Sequence, residues 1–108
     1  MNKKFLEIIK HWGVRKQLKH FKSEVHELGE AILDYENAKY YMQLSREELE
    51  IEREHIVEEI GDCMLMLMQF QEYYNISNND ILDVIDFKLK RTLKKVDEEK
   101  KWKLKKKI

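Results

Sequence analysis

The sequence predicts an all-α fold: an antiparallel helical bundle of three long helices plus a short N-terminal helix, completed by dimerisation. Three observations carry that expectation. The 108 residues include no Pro and only three Gly, a composition that favours long helices over turn-rich β structure. Apolar residues recur at alternating steps of three and four, the spacing of a packed helical seam. A helix-opening signal, Ser45-Arg46-Glu47-Glu48, stands at the head of one such stretch. At this length the chain reads as a single domain, 1–108, able to bury one modest core.

Residues 3–12 form the short amphipathic opening helix, which ends near Gly13. The first long helix, about residues 17–42, carries Leu18, Phe21, Val25, Leu28, Ile32 and Tyr35 as its seam. Gly29 inside it costs up to about 1 kcal/mol relative to Ala and marks a place for close helix approach. The second helix, about residues 45–74, carries Leu49, Ile56, Ile60, Cys63, Leu67, Phe70 and Tyr74. Its start is a capping box, in which Ser45 accepts from the third backbone N–H and Glu48 answers. Asn75 and Asn78-Asn79 mark the next break, and Ser77 opens a third long helix with Leu82, Ile85, Leu89 and Val96 on one side. The sequence contains no internal repeat and no linker.

The run Cys63-Met64-Leu65-Met66-Leu67-Met68 is apolar on every side, and a helix apolar all round is buried all round. One small bundle lacks the surface to cover it, which predicts a dimer or larger assembly through the second helix. The single Cys63 cannot form a disulfide within the chain and reads as a buried structural thiol. No stretch has the apolar length of a membrane span, and the start lacks a signal-peptide core, so a cytoplasmic protein without a membrane partner is expected.

Net charge is zero but unevenly spread. Residues 88–108 hold eleven Lys/Arg against three Asp/Glu, and residues 1–87 hold ten against eighteen. The basic tail, about 98–108, is read first as a helix end whose Lys residues complement the macrodipole. Nucleic-acid binding is the lesser reading, because Trp102 is the tail's one aromatic for base stacking.

Two acidic pairs stand out, Glu24/Glu27 and Glu59/Asp62. Each is spaced i, i+3, which sets two carboxylates one turn apart on one face. Charged residues form 39% of the chain, so Glu27/Glu30, Glu47/Glu50 and Asp83/Asp86 share the spacing by composition alone. The first two pairs differ because each acid precedes a seam residue by one position. Both pairs therefore lie on the same flank of their seam, and in an antiparallel helix pair those flanks face each other. Four carboxylates would converge there on a hard divalent cation such as Mg²⁺, which takes oxygen ligands and serves phosphorylated substrates.

Glu24-Val25-His26-Glu27-Leu28 with Ala31-Ile32, and Glu58-Glu59-Ile60-Gly61-Asp62, resemble the ExxE…ExxD signature of the MazG-like all-α nucleoside triphosphate pyrophosphohydrolases. The likeness spans about residues 5–95 and includes His11-Trp12-Gly13 and Gln17 before the first motif, and Lys88 and Arg91 after the second. Thirty-one residues separate Glu27 from Glu59, slightly long for the family, with the extra length in the stretch 34–54. The resemblance implies that Glu24, Glu27, Glu59 and Asp62 ligate Mg²⁺, with Mn²⁺ able to substitute. It implies cleavage of a nucleoside triphosphate, a dNTP or a non-standard NTP, to monophosphate and pyrophosphate by dimers or tetramers.

Lys88 and Arg91 would then meet phosphate oxygens. Glu27 or Glu58 would serve as general base, and Trp12, Gln17 and the tyrosines between 35 and 41 are the candidates for base recognition. Phosphoribosyl-ATP pyrophosphohydrolase is the same-class alternative. A non-enzymatic helical module using the basic tail on nucleic acid is the alternative of another class. His20, His26 and His55 lack a tight ligand spacing and are read as surface or boundary residues.

Overall fold

The computed structural model describes residues 3–106. Among these the regular elements are four helices: α1 (Lys3–Trp12), α2 (Val14–Tyr41), α3 (Arg46–Tyr73) and α4 (Asn78–Lys106). Lys107 and Ile108 of the basic tail lie outside the described residues. No described helix is long and apolar enough to cross a membrane.

Local chemistry sets each break. Gly13, between α1 and α2, has φ of 90°, a backbone region that L side chains rarely enter. Gln43 and Asn75 take left-handed φ values of 49° and 53° in the two later connections. The α3 capping box is complete: Ser45 Oγ accepts from the Glu48 N–H at 3.2 Å, and the Glu48 carboxylate accepts from the Ser45 N–H at 3.2 Å. Ser77 Oγ likewise accepts from the Asp80 N–H at 3.1 Å at the start of α4.

The chain divides into two units, Met1–Asn75 and Ile76–Ile108. In the first, α2 and α3 form a hairpin of two 28-residue helices, each about 42 Å long. Its antiparallel sense follows from its contacts: Gln17 meets Gln69, while Glu24 and Glu27 further along α2 meet Glu59 further back on α3. The 31 residues between Glu27 and Glu59 are thus mostly helix, with α2 running to Tyr41 and α3 starting at Arg46. Helix α1 packs on both long helices and contributes Ile9, which is fully buried.

The packed faces differ from the expected seams by a rotation. On α2 the residues turned inward are Gln17, Phe21, Glu24, Leu28, Ala31, Tyr35 and Ala38. On α3 they are Leu49, Glu52, Ile56, Glu59, Cys63, Met66 and Phe70, with Gln69 beside them. Both faces keep the three–four alternation, but polar and small residues share them with apolar ones. Leu18, Val25 and Ile32, expected in the seam, are 44%, 47% and 44% exposed. The reason is that α2 has two adjacent stripes with the same period. The stripe containing Ala31 and Ala38 packs because small side chains let helices approach closely. Gly29 does not mark a close approach in the hairpin, since a Cβ built there meets no atom within 4 Å.

Cys63 and Met66 are buried, whereas Met64, Leu65, Leu67 and Met68 are exposed. The run expected to be buried all round is covered on one side within the chain. Phe21 and Phe70 meet edge to face at 5.6 Å between ring centres, a geometry that suits the aromatic quadrupole. Gln17 and Gln69 are both buried, and the Gln17 amide donates to Gln69 Oε1 at 2.8 Å.

In the second unit no described residue of α4 is buried. Leu82, Ile85, Leu89 and Leu93 form an exposed apolar stripe along it, and an Asp86–Lys90 pair at 3.0 Å spans one turn along the flank of that stripe.

Removing either partner of a buried hydrogen bond leaves the other unsatisfied, whereas an exposed cap has water as a substitute. Gln17→Ala should therefore cost about 2 kcal/mol of stability and Ser45→Ala about 1 kcal/mol. Urea denaturation midpoints at constant m-value measure both.

Candidate metal centre

Glu24 and Glu59 face each other because both occupy inward positions of the hairpin. One oxygen each of Glu24, Glu27 and Glu59 come within 4.8 Å of one another. Two oxygens at about 2.1 Å on opposite sides of Mg²⁺ would lie about 4.2 Å apart. Three oxygens cannot all be opposite one another, and neighbouring ones would lie about 3.0 Å apart, so the side chains would have to draw in to ligate one ion together.

Burial sharpens the arrangement. Glu59 is only 8% exposed, and its Oε2 and that of Glu24 are buried without a hydrogen-bond partner. Buried polar atoms are normally satisfied, so two orphaned carboxylate oxygens beside a third acid fit a hard cation. The donor set is all oxygen, as Mg²⁺ and Mn²⁺ prefer. The residues present therefore fit the group.

Like charges gather around Glu59. Burial raises the Glu59 carboxyl above its ordinary value, and the neighbouring charges of Glu27, Asp62 and Glu24 raise it further, while His55 pulls it back. Burial also raises the Cys63 thiol, with Glu24, Glu59, Asp62 and Glu27 adding to the effect. A raised thiol and burial both suit a structural cysteine.

The remaining site candidates are distributed as follows. Asp62 is exposed and stands outside the three-oxygen cluster, although its charge reaches Glu59. Glu58 is exposed on α3 and also outside the cluster. Trp12 ends α1 half-exposed, with Lys16 Nζ 6.0 Å from its ring centre. Trp12, Lys16, Gln17 and His20 line an open groove of about 290 Å³. Gln17 forms part of this groove, but its amide is committed to Gln69. Of the tyrosines between 35 and 41, Tyr35 is half-buried, while Tyr40 and Tyr41 are exposed. Lys88 and Arg91 are exposed one turn apart on α4, with the Arg91 guanidinium over the Phe87 ring at 5.7 Å.

His20 and His55, expected as surface or boundary residues, stand beside the acids. His20 Nε2 lies 2.8 Å from Glu24 Oε1, and His55 Nε2 lies 3.4 Å from Glu59 Oε1. The signal was the i, i+4 spacing, which brings side chains together on a helix. Comparison with family models, with curated proteins and with solved structures finds no match to this chain.

The raised Glu59 carboxyl has a definite sign for stability. The folded state holds its proton more tightly than the unfolded state, so stability is fully present below the ordinary value of 4.5 and falls as pH rises through the raised one. Glu59→Gln removes that loss. In EDTA, the melting temperature of Glu59→Gln relative to the unsubstituted protein should therefore climb as pH rises from about 4 to 7. Thermal melts across that range check it.

Proposed function

We propose that this chain is a divalent-metal-dependent nucleoside triphosphate pyrophosphohydrolase, acting on a dNTP or a non-standard NTP. The carrying observation is the convergence of Glu24, Glu27 and Glu59, with two buried carboxylate oxygens left without a partner. A bound Mg²⁺ would polarise phosphoryl oxygens and lower the pKa of a water. Glu24 and Glu59 hold its place from the hairpin interior. Glu27 is exposed at the rim, where it can share the ion or take a proton from the attacking water. Glu58 is the alternative base. Attack at the α-phosphorus releases pyrophosphate and leaves the nucleoside monophosphate.

The groove of Trp12, Lys16, Gln17 and His20 supports the same reading. An exposed indole offers a stacking face, and Lys16 offers a charge for an anionic substrate. Trp12 is the residue on this rim best suited to a nucleobase.

Two copies completing one bundle would account for the outer stripes. Leu18, Val25 and Ile32 on α2 continue the three–four period, as do Val57, Ile60, Met64 and Leu67 on α3, and all are exposed. Such paired seams match the outer faces of a four-helix arrangement. The occupant we infer is a second copy of this chain.

Activity is tested with a dNTP panel, phosphoribosyl-ATP alongside, with and without Mg²⁺. Pyrophosphate release should require the metal. Glu59→Gln should lose about a hundredfold or more. Glu50→Gln should retain activity, since Glu50 is exposed and paired with Arg53 at 3.1 Å, a contact of small energetic weight. Equal activity of the two variants would defeat the proposal.

Assembly is tested by sedimentation at micromolar concentration. The unsubstituted chain should sediment as a dimer or larger species, and Val25→Asp combined with Met64→Lys should shift it towards 13.3 kDa. A monomer before substitution would exclude the paired bundle.

A further inference from the structure

Three histidines precede a glutamate by four residues: His20 before Glu24, His26 before Glu30, and His55 before Glu59. Two of those pairs involve the acids turned into the hairpin. In each of these two, the imidazole Nε2 is beside Oε1 of its glutamate, at 2.8 Å for Glu24 and 3.4 Å for Glu59. In each, the other oxygen, Oε2, is the buried one without a partner. The same division of oxygens therefore occurs on both helices. The histidines are about half-exposed, and their glutamate side chains are 12% and 11% exposed.

Resting on the metal-site reading above, we propose that His20 and His55 are positioning residues for the cation. The His20 ring, with its proton on Nε2, hydrogen-bonds Oε1 of Glu24, and the His55 ring, in ion-pair contact with Oε1 of Glu59, takes the same role when the carboxylate closes on the ion; each turns the second oxygen inward. A carboxylate has two oxygens and a rotatable terminal torsion. Without a donor at Oε1, it is free to turn and present either oxygen to water. A hydrogen bond from outside the coordination sphere restricts that motion and tightens metal binding. The rings themselves stand outside the three-carboxylate cluster. The sequence supplies its own control: the His26–Glu30 pair has the same spacing, but its atoms are 4.0 Å apart and both side chains are mainly exposed.

The test is Mn²⁺ binding to the full chain, read from the electron paramagnetic resonance signal of the free ion, with melting temperature in EDTA as a fold check. His20→Ala and His55→Ala should each weaken binding about ten- to a hundredfold. His20→Gln and His55→Gln, which keep a side-chain N–H donor, should recover most of it, and His26→Ala should leave it unchanged. Ala variants that bind as tightly as the unsubstituted chain, while Glu59→Gln does not, would overturn the inference and leave the metal site standing. Gln variants as weak as the Ala variants would also overturn it, since the ring would then be acting as a ligand or a packing element. No Mn²⁺ binding by the unsubstituted chain, or undiminished binding by Glu59→Gln, would overturn the metal-site reading and this inference together.

Discussion

Two carboxylates held in the packed face between α2 and α3 are the constraint around which the first unit is organised. Glu24 and Glu59 occupy positions where an apolar side chain would pack without electrostatic cost. Taking a carboxylate out of water is unfavourable unless it is paired or liganded. Here the acids face each other, with Glu27 at the rim adding a third charge. The hairpin carries that repulsion in its own core, and the surrounding contacts must outweigh it. Ile9 of α1, the Phe21–Phe70 edge contact and the buried Ala31, Ala38 and Met66 supply the compensating packing.

The acids also account for an asymmetry in how apolar residues are used. Positions given to Gln17, Glu24, Glu59 and Gln69 are unavailable to Leu or Ile, so the inner face of the hairpin is polar along part of its length. Much of the bulky apolar surface lies on the outer stripes, where Val25, Ile32, Met64 and Leu67 are exposed. A helix pair built in this way has its acids inside and much of its uncovered hydrophobic area outside. The two properties have one origin in sequence.

Helix boundaries were legible because their causes are local. Ser45 and Glu48 sit three residues apart, Gly13 and Asn75 adopt their own backbone conformations, and none of these depends on a distant partner. The packed face of α2 was legible only in part, through Phe21, Leu28 and Tyr35, which do turn inward. Leu18, Val25 and Ile32 satisfy the helical period as well as the true inner face does, and a rule that follows hydrophobicity selects them. The inner face includes Gln17, whose partner Gln69 is 52 residues away. The meeting of Glu24 with Glu59 was legible from the paired spacing. Their burial was not, because the acids lie in the seam and not on its flank. His20 and His55 were hidden for a related reason: their spacing from an acid is the same as that of His26, and only the packing distinguishes them.

The buried Gln17–Gln69 bond governs longitudinal alignment between the two long helices. Apolar faces with a three–four period tolerate sliding, since a shift by one turn brings a similar surface opposite. A directional bond between two buried amides does not. Displacing α3 along α2 by one turn, about 5.4 Å, would separate a donor and acceptor now 2.8 Å apart and leave both in the interior. The same displacement would draw Glu59 away from Glu24 and Glu27. A single polar residue in a helical interface is known to select one register at some cost in stability. Here that selection acts at one end of the hairpin and sets the spacing of carboxylates two turns further along α2, so the alignment of the site depends on a pair of side chains with no charge.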